Sequence, residues 1–332
     1  MMNSSTTFQN DLLRRLVKVF YKGSLQFSLQ PKEVEFLTWE QQQKFLDATV
    51  NSERVKKYPV NSDFARLFFK KLLIYLEPRQ EVHDDIYCYL CSLMEKDREN
   101  ESFYYRHYVI GEDLKNVIII KETKNMVVNG TTGMKTWEAA LMLADWVLSN
   151  EALFRNKKIL ELGSGVGFTG ITIAKHCKIN SILLTDCHED VLNAICDNIA
   201  FNFPQNSLTE GSMKKEFTDG NKVLGVMMLD WDNVQNLSND LLPDVIIGSD
   251  IIYDPSILKP LCNVIKIFTS RNKSIEIYVA NIIRNEDTYK QFLRTLDVFE
   301  LDHEEISHTK NASVEWDVNI HKYTIIRIKD KQ

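Results

Sequence analysis

The chain has 332 residues, of which 44% are hydrophobic and 26% charged, and it carries a net charge of −6. That balance is ordinary for a folded globular protein and argues against a dominant nucleic-acid footprint, which is normally basic. No apolar run approaches the length that spans a bilayer, and the chain is longer than one core usually holds, so a large domain with a smaller companion is expected.

The first ten residues are polar and lack the apolar segment of a secretory signal, so the chain reads as cytoplasmic. Leu12, Leu13, Leu16 and Val17, interleaved with Arg14, Arg15 and Lys18, suit an ordinary surface helix. From residue 11 to 99 the pattern is helical, with apolar residues at three- and four-residue spacing over 41–46, 64–76 and 86–95. Pro59 and Pro78 fall between these segments as breakers. Cys88 and Cys91 form the single C-x-x-C among six cysteines. Without a second pair they predict no metal site, and at i and i+3 they are expected to share a buried helix face. Residues 1–105 are therefore read as a helical N-terminal domain without identifiable chemistry.

The pattern changes near Tyr108, and residues 106–332 are read as the second, catalytic domain. A short strand is expected over 116–121, then a helix over 136–148 with Thr136 as its N-cap. Strands and helices alternate from there. The strands are expected at 158–162, 181–185, 223–229, 244–248 and 275–280, and the helices at 168–176, 189–201, 256–269 and 288–296. Segments 298–305 and 323–329 close the chain as two consecutive strands. Alternation implies a parallel, doubly wound α/β sheet, and the last pair adds an antiparallel edge.

In such sheets the ligand lies beyond the carboxyl ends of the strands, and four clusters fall there. The first is Glu161-Leu162-Gly163-Ser164-Gly165. Its glycines let a ligand approach the backbone closely, but the third position of a dinucleotide fingerprint is Phe168, not glycine. Glu161 would repel a diphosphate and welcome a ligand with an amino group, so the loop suits S-adenosyl-L-methionine better than a nicotinamide dinucleotide. Asp186 ends the second strand about twenty residues on, where a carboxylate can accept both ribose hydroxyls. Asp230 follows the third strand, where it can accept from an adenine amine, and Trp231 beside it can cover the ring. Ser249, Asp250 and Tyr253 follow the fourth. Each feature also has a local reading: a tight turn, a helix cap, a core indole, a loop acid. For all of these to hold at successive strand ends is a far weaker account.

Methyl transfer from a sulfonium needs a neutral nucleophile aligned behind the methyl group, and a free lysine amine has a pKa of about 10.4. Asp250 is positioned to orient the incoming ammonium and Tyr253 to close the pocket around it. No dedicated base is evident, so holding the amine in place is the expected catalytic device.

The ELGSG turn, the LDWD segment of residues 229–232 and the D-x-x-Y of Asp250 to Tyr253 resemble those of the class I, seven-strand, Rossmann-like lysine methyltransferases that modify non-histone proteins. Three further segments narrow the resemblance to the elongation factor 2 lysine methyltransferase group: Thr131 to Ala140, Thr185-Asp186-Cys187-His188, and Ile283-Arg284-Asn285 followed by Tyr289. Two departures are conservative: threonine replaces serine at 185, and Ser249 stands where alanine is common. The resemblance implies that Trp137, Gly163, Ser164, Gly165, Asp186, Trp231 and Ser249 line the cofactor and that Asp250 and Tyr253 face the lysine. It also implies a protein substrate, elongation factor 2, gripped in part by the N-terminal domain, with no direct nucleic-acid or membrane partner and a monomeric chain. Other substrates stay open, namely another cytosolic protein or a small-molecule amine. A non-catalytic cofactor-binding scaffold is a further alternative.

Overall fold

The computed structural model describes residues 2–95, 102–204, 207–210, 214–220, 222–238, 240–308, 313–316 and 322–331. The chain divides into two compact units, Met1–Asn125 and Met126–Gln332. Among the described residues no helix is long and apolar enough to cross a membrane.

The first unit contains α1 (Met2–Lys22), α2 (Pro31–Phe36), α3 (Trp39–Ala48), α4 (Glu53–Lys57), α5 (Ser62–Leu76) and α6 (Asp84–Glu95), followed by β1 (Phe103–Val109) and β2 (Val117–Thr123). α1 is an amphipathic surface helix, as expected, with Arg14 and Arg15 exposed and its apolar stripe turned inward. Leu12, Leu16, Val17 and Phe20 recur at helical spacing and are all buried, and Phe20 meets Phe45 and Phe68 edge-on at 6.1 and 5.2 Å. Cys88 and Cys91 are both exposed, because Ile86 and Leu93 take the buried face of α6. β1 and β2 pair antiparallel as a ribbon of their own. This ribbon moves the boundary from the expected 105 to 125. Tyr105 N–H donates to Pro59 O, and the Arg106 guanidinium donates to Lys22 O, at 3.0 and 2.6 Å.

The second unit contains α7 (Glu138–Ser149), α8 (Glu151–Phe154), β3 (Lys158–Leu162), α9 (Phe168–His176), β4 (Ser181–Asp186), α10 (Glu189–Asn202), β5 (Ser207–Glu210), β6 (Lys214–Asp219), β7 (Lys222–Met228), β8 (Val245–Ser249), α11 (Leu258–Arg271), β9 (Glu276–Ile283), α12 (Glu286–Val298), β10 (Leu301–Ile306) and β11 (Lys322–Asp330). The sheet order is β10-β11-β9-β8-β3-β4-β7-β6-β5. β7, β4, β3, β8 and β9 run parallel, and β11 and β10 join antiparallel. These are the seven expected strands. β5 and β6 extend the sheet antiparallel beyond β7 and were not expected. Their sequences, SLTE and KKEFTD, lack the alternation that marks a strand.

Helices cover both faces, as buried parallel strands require. On one face Leu160 and Leu162 of β3, Ile246 of β8 and Ile277 and Val279 of β9 form a cluster with Leu261, Ile265 and Phe268 of α11 and Phe292 of α12. Each such buried side chain contributes about 1.5–3 kcal/mol. The other face receives α7, α9 and α10, whose inward residues Met142, Ile171 and Ile195 are fully buried. α7 starts one residue later than expected. Trp137 is its N-cap, and the Thr136 hydroxyl has no hydrogen-bond partner.

Candidate active site

A cavity of about 330 Å³ opens at the carboxyl ends of β3, β4, β7, β8 and β9. Nine of the eleven residues singled out in the sequence line it: Trp137, Gly163, Gly165, Asp186, Asp230, Trp231, Ser249, Asp250 and Tyr253.

The glycine turn forms the floor. Gly163 and Gly165 both have positive φ, at 60° and 52°, a region that residues with a Cβ enter at a cost. Space matters as much as torsion. A Cβ on Gly163 would lie 2.8 Å from Ile251 Cγ2 and 3.5 Å from the Trp231 ring, and one on Gly165 would lie 3.1 Å from Gly133 O. The segment Thr131–Gly133 thus lies against the turn, and Trp137 secures that segment through an Nε1–H bond to Thr132 O at 3.1 Å.

Ser164 and Glu161 are the two residues off the wall. Ser164 stitches the turn to β4: its N–H donates to Thr185 O at 2.8 Å, and its hydroxyl accepts from Thr185 N–H at 3.0 Å. Glu161 corrects the expectation of a carboxylate that meets the ligand's amino group. Strand alternation turns it away from the Leu160–Leu162 face and under α9, where Gly170 leaves room: a Cβ there would lie 2.6 Å from Glu161 Oε2. The carboxyl is 1% exposed, and Oε2 has no hydrogen-bond partner. Burial pushes its pKa up to about 8, so the acid is held largely neutral at physiological pH.

Asp186 and Asp230 each serve two purposes. Asp186 Oδ2 accepts the Gly165 N–H and Oδ1 the His188 N–H, both at 3.2 Å, which ties the glycine turn to the end of β4. Burial raises its pKa, and the backbone N–H groups of His188 and Gly165 work against that rise. Asp230 accepts the Asp232 N–H at 3.0 Å and caps the short 3-10 helix Trp231–Asn236 that carries the indole onto the wall. Free lone pairs remain on both carboxylates for a diol or an amine.

Asp250 has φ 53° and is 7% exposed. Its Oδ1 accepts from Ile282 N–H at 3.0 Å and Arg284 Nη1 at 3.1 Å, and its Oδ2 accepts from Arg284 Nη2 at 3.0 Å. The guanidinium also sits over the Trp137 ring, 5.2 Å from its centroid. Asp250 therefore does not wait as a free carboxylate for an ammonium. The sequence pattern alone assigns Arg284 no role. It directly follows β9, so the strand-end rule that places the other clusters reaches it at the fifth strand. Tyr253 stands at the mouth, 58% exposed.

A family profile described as lysine methyltransferase matches residues 114–299. The chain is 31% identical over 264 residues to protein-lysine N-methyltransferase EEF2KMT of Homo sapiens, covering 76% of this chain and 75% of the relative. It is 32% identical to the protein of the same name from Mus musculus, covering 74% and 73%. Protein-lysine N-methyltransferase EFM3 of Chaetomium thermophilum is 31% identical over 57% of this chain and 54% of its own. The chain belongs to the lysine methyltransferase family. It is an enzyme whose methyl donor is S-adenosylmethionine and whose substrate is a protein lysine. For a lysine methyltransferase, the cavity offers what that donor needs: a glycine floor that a Cβ would fill, acids for hydroxyls and an amine, and an indole face for a purine.

Proposed function

We infer that the protein methylates a lysine of translation elongation factor 2 in the cytoplasm, using the cavity at the strand ends. The name EEF2KMT carried by the human and mouse relatives supports the choice of target. The observation that carries the reading of the site is the placement of Asp250 and Tyr253 on the same cavity wall as the glycine turn.

When bound, S-adenosylmethionine supplies an electrophilic methyl group on a sulfonium. Gly163 and Gly165 admit it close to the backbone, Asp186 accepts the ribose hydroxyls, and Asp230 and Trp231 hold the adenine. Ser249, at the end of β8, and Trp137 complete its surroundings. Asp250 orients the lysine nitrogen by accepting an N–H bond, and Tyr253 narrows the mouth around the aliphatic stem. Fixing the nitrogen in line is the principal device, since positioning alone can account for several kcal/mol of a barrier. Glu161 and Ser164 act indirectly, by shaping the turn from beneath. The unit Met1–Asn125 supplies contacts to the substrate protein remote from the lysine, and such contacts supply binding energy that orients the reacting group.

The test is incubation of the purified protein with labelled methyl donor and an extract that contains elongation factor 2 but lacks the enzyme, followed by mapping of the labelled residue. Label on a lysine of elongation factor 2, lost with Asp250→Ala, is the expected result. Label confined to other proteins of an extract would refute the choice of target.

A further inference from the structure

Among the described residues on the cavity wall, Arg284 is the single cation. The other ionisable groups there, besides Asp250, are Asp186 at the end of β4 and Cys187 just after it, Asp230 and Asp232 after β7, and Tyr253 after β8. An acidic cavity is a poor place to deprotonate a lysine. A lone carboxylate beside an ammonium favours the charged form and raises its pKa, whereas the nucleophile must be neutral. Free lysine, with a pKa of about 10.4, is neutral in roughly one molecule in a thousand at pH 7.4.

The fork geometry changes that arithmetic. Both Asp250 oxygens are engaged by the guanidinium, at 3.1 and 3.0 Å, and Oδ1 is further engaged by the Ile282 N–H at 3.0 Å. Of the four lone-pair positions on a carboxylate, one on Oδ2 is left. The pair as a whole carries no net charge. It offers the lysine one acceptor and, beside it, a fixed positive charge. Arg284 is held there from two sides, by the carboxylate and by the Trp137 ring, with its side chain 39% exposed.

We propose that Arg284 is a positioning residue that sets the protonation state of the substrate lysine: by neutralising Asp250 and placing a guanidinium beside the amine, it lowers the lysine pKa and lets Asp250 orient the neutral amine instead of trapping the ammonium. The inference rests on the reading that Asp250 faces the lysine. The ammonium loses one proton to water. The freed lone pair then forms the N–C bond while the C–S bond breaks with its electron pair left on sulfur. The methylated nitrogen carries the positive charge, which it sheds as a second proton to water before any further round. A cation beside a lysine is an established way to lower its pKa. Arginine suits the task because it stays charged and its planar fork grips a carboxylate at both oxygens.

The experiment compares wild type, Arg284→Met and Arg284→Lys on elongation factor 2, with kcat at saturating substrate followed from pH 6.5 to 9.5, since kcat reports the ionisations of the bound complex. S-adenosylhomocysteine affinity within twofold of wild type and an unchanged circular dichroism spectrum establish that the variants are folded. Binding of elongation factor 2, measured by calorimetry without methyl donor, gives a second readout. Arg284→Met is expected to move the acid limb of the profile at least one pH unit to the alkaline side, with a tenfold or greater loss at pH 7.4 that recovers toward pH 9.5. Its affinity for elongation factor 2 is expected to match or exceed wild type, because the unpaired Asp250 now holds the ammonium. Arg284→Lys, which keeps the charge, is expected to hold the acid limb near its wild-type position. A uniform fall in rate across the pH range, with the limb unmoved in Arg284→Met, overturns the proposal. Wild-type turnover is the baseline for every comparison, so that outcome leaves the choice of substrate and site standing.

Discussion

Glu161→Gln offers a test of the buried acid that can be read without any ligand. The glutamate lies 1% exposed beneath α9, and burial raises its pKa from the ordinary 4.5 to about 8. An acid whose folded pKa is raised stabilises the fold fully below the unfolded value. That contribution falls away as pH rises from about 4.5 through 8, because the unfolded chain releases its proton first. At about 1.36 kcal/mol per pH unit the full span is ~5 kcal/mol, of which roughly 3–4 kcal/mol falls between pH 5 and pH 8. Glutamine keeps the shape of the neutral acid and cannot ionise. Its amide finds no better partner than Oε2 does, which adds a constant penalty of about 1–3 kcal/mol that does not depend on pH. The quantity to read is therefore the slope of the difference. Calorimetric scans of wild type and Glu161→Gln at half-unit steps from pH 5 to 8 should show the variant gaining on wild type throughout. For a unit of this size, at about 2–4 °C per kcal/mol, the relative gain is on the order of 10 °C. Parallel Tm curves would refute the neutral buried acid and restore Glu161 as an ionised group.

Gly163→Arg should abolish binding of the methyl donor, since any side chain at φ 60° starts 2.8 Å from Ile251 Cγ2 on the cavity floor; calorimetry with S-adenosylhomocysteine checks it. Trp231→Ala should weaken that ligand by about 1–3 kcal/mol, the cost of losing one stacked aromatic contact, and unchanged affinity would make the indole a packing residue only. Asp250→Ala should lose turnover while keeping donor affinity, whereas lost affinity with turnover intact at saturation would place it at the wrong end of the cavity. A folded fragment beginning at Met126 should bind donor normally and methylate elongation factor 2 with raised KM or not at all; full-length efficiency would remove the first unit from substrate docking.

The strand ends were legible because their chemistry is local. A glycine pair, an acid about twenty residues on, and an acid–indole pair each leave a mark within a few residues, and topology alone then brings them together. Side-chain direction was less legible. Glu161 belongs to the same five residues as Gly163 and Gly165, yet one step of strand alternation turns it under α9, and no local pattern says which face α9 will cover. Cys88 and Cys91 failed for a related reason: i and i+3 spacing shows that two residues share a helix face, but Ile86 and Leu93 decide that this face is not the buried one. β5 and β6 were invisible because each has a single large apolar residue, Leu208 and Phe217, and their places in the sheet come from backbone pairing, β6 to β7 and β5 to β6. The Asp250–Arg284 pair spans 34 residues and two strands, and only the parallel pairing of β8 with β9 makes it a contact.

Those contacts also change how a local reading and a functional reading relate. A cap or a turn does not exclude ligand binding. In the folded chain Asp186 ties Gly165 to β4 with one oxygen and His188 with the other, and it still lines the cavity. Asp230 caps the helix that carries Trp231 and lines the cavity too. A carboxylate has about four acceptor positions; Asp186 gives two to the Gly165 and His188 N–H groups and Asp230 gives two to the Asp232 N–H and the Asn233 side-chain amide, so one side chain can fix its loop and face a ligand at once. The economy has a mechanical consequence. An acid anchored by backbone bonds loses little further freedom when a ligand arrives, and the glycine turn it anchors is already in place. Substitutions such as Asp186→Asn should therefore disturb loop and ligand together. The ligand's own share can be separated by comparing each variant's stability loss without ligand with its loss of S-adenosylhomocysteine affinity. An acid that only folds its loop shifts the first far more than the second, and an acid that serves both shifts each.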